Sequence, residues 1–195
     1  MRTSFTRTSV TIAFAGALLA CQAPAPQSND TAPAETTAQV SVEHGGYLVN
    51  TAGGCHDCHT PKIMTPNGPV LDSTRVLSGY PADRPVPPVP SGAITADGWA
   101  ALSNADGTGW AGPWGLSFSA NITPDSSGIG GWTEEMFVQA MRTGRHAGSG
   151  RPILPPMPWQ NYGQMTDVDL RSMFAYLKSV PPVRNMVPAP VPPPQ

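Results

Sequence analysis

Residues 53–62 read GGCHDCHTPK, and three of them carry reactive side chains at a fixed spacing: Cys55, Cys58 and His59. Two thiols two residues apart can clasp a metal ion, cycle as a redox dithiol, or form thioethers to the vinyl groups of a haem whose iron the following imidazole ligates. A zinc clip needs four ligands, usually a second cysteine pair or a pair of spaced histidines. The third cysteine is Cys21, and His44, His56 and His146 lack that spacing. A thioredoxin-like dithiol belongs beside a βαβ pattern, and nothing in this chain alternates convincingly as a strand. Haem attachment is the reading that remains.

A haem iron with His59 on one side leaves a sixth position to assign. The chain has 8 methionines. Met136, Met141 and Met173 fall on apolar helical faces, where core packing is their expected role. Met64 follows His59 too closely to reach across a ring, Met165 abuts a helix start and Met186 lies near the end of the chain. Met157 stands in ILPPMPWQNY, between Pro155, Pro156 and Pro158. Prolines fix φ and remove backbone donors, which suits a rigid loop holding a thioether in place. Two alternatives stay open: Met157 packing on Trp159, and His146 as the ligand.

The elements that position these groups read as helices. Residues 42–53 place Tyr47, Leu48, Thr51 and Ala52 on one face leading to Cys55. Residues 133–143 start at Thr133 with two glutamates in the first turn and stop at Gly144. Residues 166–179 open with a capping pair, Thr166 and Asp169, and repeat Leu170, Met173, Phe174 and Leu177 at helical spacing before Pro181 and Pro182. From Pro66 to Gly131 turn residues dominate, with Trp99, Trp110, Trp114 and Phe118 expected to form a satellite cluster and a short helix expected near 95–103. The expected fold class is all-α, with three or more helices around the cofactor and long Pro/Gly/Trp-rich loops.

The ends of the chain have a different composition. Residues 1–20 carry Arg2 and Arg7 ahead of an apolar run, the layout of an export signal. The run ends Leu18-Leu19-Ala20-Cys21, which resembles the lipobox of bacterial lipoproteins and would make Cys21 a lipid-anchored first residue. Residues 21–40 lack bulky apolar side chains and read as a disordered tether with a reach of roughly 60 Å. Residues 41–184 form the expected domain, and 185–195 a proline-rich disordered tail. With a net charge of −2 and 12% charged residues, the chain shows no footprint for nucleic acid.

The order of these features resembles class I c-type cytochromes: a helix, Cys55-x-x-Cys58-His59, Gly68-Pro69-x-Leu71, a loop methionine, then FAYLKSVPPV. The blocks at 45–61, 77–79, 121–146 and 155–159 are similar to those of single-haem units in bacterial periplasmic electron-transfer chains. The likeness spans the whole expected domain. It implies one covalent haem c, ligated by His59 and Met157, with the Pro69 carbonyl holding the imidazole N–H. The separation of His59 from Met157 is far longer than in a minimal cytochrome c. With both axial positions filled, the implied role is an exported electron carrier rather than an enzyme, exchanging electrons with a dehydrogenase or a terminal oxidase or reductase. Trp159, Tyr162 and Arg145 are candidate propionate partners, or ordinary packing and solvated charge. The rival readings are an open-site haem enzyme or sensor, and a haem subunit of a larger oxidoreductase.

Overall fold

In the computed structural model, which describes residues 39–95 and 98–193, α1 (Val42–Tyr47) crosses α5 (Asp167–Ser179) where the two backbones nearly touch. A Cβ on Gly45 would lie 1.9 Å from the Ser172 carbonyl oxygen, so only glycine admits this crossing. Ser41 caps α1 and donates its own N–H to the Ser172 hydroxyl at 3.1 Å; His44 meets Asp169 at 2.7 Å. Asp169 also completes the capping box of Thr166. Helix α3 (Glu134–Thr143) begins at the capping residue Thr133 and ends on Gly144 in the left-handed conformation. The two long helical patterns in the sequence therefore appear with their expected ends.

The first helical pattern differs from its expectation. After Tyr47 the helix widens into a π-turn over Leu48–Ala52, which rotates the buried face. Leu48 and Val49 enter the core, while Tyr47 is 59% exposed and Thr51 and Ala52 face solvent. Leu48 and Val49 join Phe137, Ala140 and Met141 of α3 and Leu170, Met173, Phe174 and Leu177 of α5 in one cluster. Leu77 and Ile129 belong to the same cluster, so the long loop region contributes to the main core.

The all-α expectation is overturned by two small antiparallel sheets. Strands β1 (Lys62–Thr65) and β2 (Gly68–Leu71) form a hairpin closed by Pro66 and Asn67. Strands β3 (Leu102–Ser103), β4 (Gly109–Gly112) and β5 (Gly115–Phe118) form a three-stranded meander. These strands are four residues or fewer, and β2, β4 and β5 carry glycine, so they show no alternation long enough to read. Two-residue loops, Pro66-Asn67 and Pro113-Trp114, were the available signal. No helix occurs among the described residues near 95–103. The aromatic cluster is also rearranged: Phe118 packs on Tyr80 with ring centroids 4.8 Å apart, whereas Trp99 is 69% exposed.

The chain beyond α5 does not trail away. Val191 exchanges backbone hydrogen bonds with Leu116 of β5, and Asn185 is bonded on every polar atom of its side chain. Residues 185–193, expected as a proline-rich tail, run here as a strap along the fold. The expected signal, Cys21 and nearly all of the tether lie outside the described residues.

Asp106 anchors the turn before β4. Its carboxylate is buried, accepts from Thr108 N–H and hydroxyl, and pairs with Arg84. Burial pushes the carboxyl up, but the Thr108 hydroxyl and Arg84 more than reverse that, leaving it below its usual range. A carboxyl depressed on folding stabilises the fold above its unfolded value, about 3.9, and that contribution is lost as pH falls through the folded value. Asp106→Asn is therefore expected to cost about 2 kcal/mol at neutral pH, with water covering the part-exposed Arg84. It should also flatten the acid limb of a denaturant midpoint against pH profile below about pH 4.

Candidate functional site

Cys55, Cys58 and His59 share one short helix, α2 (Cys55–His59), entered through Gly54 in the left-handed conformation. Both cysteines are free thiols. Burial pushes the Cys55 thiol up to about 11 and raises that of Cys58, so both are held protonated at neutral pH. Cys55 packs against the core cluster, as do Met157, Tyr162, Val76, Ile122, Trp132 and Ile153.

The His59 ring is fixed by its Nδ1–H, which donates to the Ala120 carbonyl at 2.8 Å. That bond assigns the tautomer and leaves the Nε2 lone pair free of any hydrogen bond among the described residues. Burial pushes the imidazole down, with the Ala120 bond opposing, which favours the neutral ring. Pro69 does not provide the acceptor: it lies in β2 opposite Met64, on the exposed hairpin.

Two backbone segments bring Ala120 to the histidine. Gly79 N–H donates to the His59 carbonyl at 2.8 Å, and Tyr80 N–H donates to the Ser119 carbonyl at 2.9 Å. Gly79 has a φ of +78°, and a Cβ there would sit 2.3 Å from the Ser119 oxygen. The close passage of 78–80 against 119–121 thus depends on glycine. Leu77 N–H donates to the buried Thr60 hydroxyl, and Ile122 N–H to the Leu77 carbonyl. Leu77 itself is fully buried at a φ of +58°, strain that its surroundings must maintain.

Beside the cysteines, His56 is held by both ring nitrogens. Thr60 Oγ1 lies 2.8 Å from Nδ1 and Asn50 Oδ1 lies 2.7 Å from Nε2. Because Thr60 already accepts from Leu77, its hydroxyl is free to donate to Nδ1, and Nε2–H then donates to Asn50. Asn50 continues the network to the Tyr176 hydroxyl at 2.9 Å.

Met157 lies in the loop joining α3 to the short helix α4 (Trp159–Tyr162). The Pro155 carbonyl accepts from Ser117 of β5 at 2.6 Å, and Ile153 N–H donates to the Gly144 carbonyl at 2.7 Å. These bonds tie both ends of the loop to ordered elements, with Met157 part-buried on the core. The suggested propionate partners have other engagements. The Tyr162 hydroxyl donates to the Gly53 carbonyl, Arg145 to Gly150, and the Trp159 ring lies against Gly144. His146 is exposed and stacks edge-on with Trp132 at 5.0 Å.

Sequence reasoning missed Ala120, Gly79 and Asn185. Ala120 is invisible by type because its carbonyl, not its side chain, takes part. An open cavity of about 600 Å³ lies between the run Pro85–Pro90 and the three-stranded sheet, and none of the candidate site residues lines it.

Among curated proteins the chain is similar to a nicotinate dehydrogenase subunit of Pseudomonas putida, 40% identical over 88 residues, which is 45% of this chain and 7% of that protein. It is similar to the fructose dehydrogenase cytochrome subunit of Gluconobacter japonicus, 39% identical over 138 residues, 70% of this chain and 21% of the relative. A diheme cytochrome c-type protein of Cereibacter sphaeroides is 28% identical over 142 residues, covering 72% of this chain and 36% of its own length. The chain spans well under half the length of each of these relatives. No family model matches the sequence.

Proposed function

We infer that this chain is a c-type cytochrome that passes electrons through one covalently attached haem and has no substrate chemistry of its own. The observation that carries this reading is the α2 geometry: a Cys-x-x-Cys-His segment whose histidine has its Nδ1–H committed to a carbonyl and its Nε2 lone pair uncommitted. Likeness to the cytochrome subunit of fructose dehydrogenase supports it from an independent direction. A dithiol would leave the fixed imidazole without a role, and a zinc clip needs a fourth ligand, whereas no group of three or more His, Cys, Asp or Glu side chains is placed to hold a metal ion among the described residues.

The residues present fit a haem. Cys55 and Cys58 would attach it, His59 would ligate the iron through Nε2, and Met157 would supply the second axial ligand. The bound iron supplies a one-electron ferric–ferrous couple, favoured toward ferrous by a soft thioether. The Ala120 carbonyl orients the imidazole and raises its basicity. Val76, Ile122, Trp132 and Ile153, part-exposed around the core, would cover the group and exclude water. One attachment motif stands in this sequence, so one haem is the number proposed.

The partner proposed is a dehydrogenase, the class named in two of these relatives. The N-terminal run and Cys21 support an exported, membrane-anchored lipoprotein facing the periplasm. No helix among the described residues is long and apolar enough to cross a membrane. The visible spectrum of the haem-matured protein in both oxidation states tests the reading. A low-spin spectrum with the weak far-red band of a methionine–ferric bond is expected. A high-spin ferric form, or carbon monoxide binding to the reduced protein, would turn the assignment toward an open-site haem enzyme or sensor.

A further inference from the structure

The strap that follows α5 makes unusually specific contacts. The Asn185 side-chain amide donates to the Ser78 carbonyl at 2.7 Å and the Tyr80 carbonyl at 2.8 Å. Its oxygen accepts from Ala82 N–H at 2.8 Å, so each polar atom of the side chain is hydrogen-bonded to backbone. Its backbone N–H donates to the Ser127 hydroxyl at 2.9 Å. From the other side Asn121 donates to the Val183 carbonyl at 2.8 Å, and Val183 N–H donates to Thr123 at 3.1 Å.

These bonds converge on two segments, 78–82 and 121–127. The first carries Gly79, which holds the His59 carbonyl; the second adjoins Ala120, whose carbonyl holds His59 Nδ1–H. Nothing else among the described residues bonds to both segments through one side chain and its backbone in this way. We propose that Asn185 is a positioning residue for the His59 imidazole, acting through the two backbone segments that cage it.

The consequence is electronic as well as mechanical. A firm Nδ1–H···O=C bond makes Nε2 a stronger donor and favours the ferric state. Loosening the cage lengthens that bond, so the reduction potential rises. Simple loosening that only admits water would lower it instead, because solvent favours the more highly charged ferric form. The two effects have opposite signs.

The test rests on the haem reading and uses the full-length, haem-matured protein. Midpoint potential and solvent exchange of the His59 Nδ1–H, followed by NMR, are measured for wild type, Asn185→Ala and Thr166→Ala. Thr166→Ala removes the α5 cap and serves as a control for loss of stability away from the cage. Asn185→Ala is expected to speed Nδ1–H exchange by about tenfold or more and to raise the potential, because several hydrogen bonds closing the cage are gone. Thr166→Ala should leave both readouts unchanged. Should Asn185→Ala fail to fold, Ser127→Ala, which loosens the same strap from one side, is expected to give smaller changes of the same sign.

Unchanged exchange and potential in either strap variant would overturn the proposal, as would equal changes in Thr166→Ala. A fall in potential with unaltered exchange would overturn it too, marking solvent entry alone. A wild-type chain without covalent haem would overturn the haem reading itself, an outcome distinct from the others.

Discussion

Replacing both Cys55 and Cys58 by alanine is expected to abolish covalent haem: a denatured sample should show no haem staining, and acid–organic extraction should remove all of the pigment. The two thiols lie on a helix of five residues next to His59, the proposed ligand, and Cys21 is the only other cysteine in the chain. No other thiol pair can substitute. The loss should reach the fold as well. Val76, Ile122, Trp132 and Ile153 are only part-buried against the core and would lose the apolar group that covers them. Leaving such side chains to water costs roughly 1–2 kcal/mol for each that loses most of its cover. A drop in thermal midpoint well beyond that of a typical surface substitution is therefore expected by calorimetry. Haem retained covalently in the double variant would remove the premise on which the site is built.

The second large effect concerns Met157. Met157→Ala is expected to lower the midpoint potential by on the order of 100 mV, because loss of the thioether removes the ligand that favours ferrous iron. The far-red band should vanish, and the reduced protein should begin to bind carbon monoxide. Met64→Ala is the matching control. Met64 stands 61% exposed on the β1–β2 hairpin, where its removal touches neither the core nor α2. A Met157→Ala protein with an unaltered spectrum would hand the sixth position to another group, and His146→Ala would then be the next variant to examine. The tie from Ser117 to the Pro155 carbonyl keeps the loop in place when the side chain is shortened, so the change reports ligation and not collapse.

What the sequence disclosed depended on the physical range of each signal. Thr166, Asp169 and the Leu170-Met173-Phe174-Leu177 repeat act within a few residues of one another, and α5 was readable to its cap. Thr133 and Gly144 gave α3 in the same way. The cysteine–histidine spacing is also local, so the sequence singled out the segment that forms α2. The π-turn at Leu48–Ala52 was not, because it answers to packing against α5 and moves the buried face from Thr51 to Val49. The strands escaped notice because glycine and proline, normally signs of irregular chain, here form two-residue turns between segments too short to alternate. The acceptor for His59 was out of reach for a third reason. A backbone carbonyl has no residue type, and Ala120 reaches the imidazole only because Gly79 lets two distant segments pass closely.

The strap also bears on the order of events as the chain matures. The bonds that close the site join residues far apart in sequence: Tyr162 to Gly53, Asn185 to Ser78, Asn121 to Val183, Ser41 to Ser172. Such non-local contacts form late, since each must first overcome the entropy of closing a long loop. A five-residue helix has little stability alone, so in the newly made chain Cys55 and Cys58 stand open to solvent. In a chain that has folded without the group, burial pushes the Cys55 thiol up to about 11 and the reactive thiolate is scarce. On the haem reading, topology sets a kinetic window: attachment would belong to the open chain, and closure of the strap would end it.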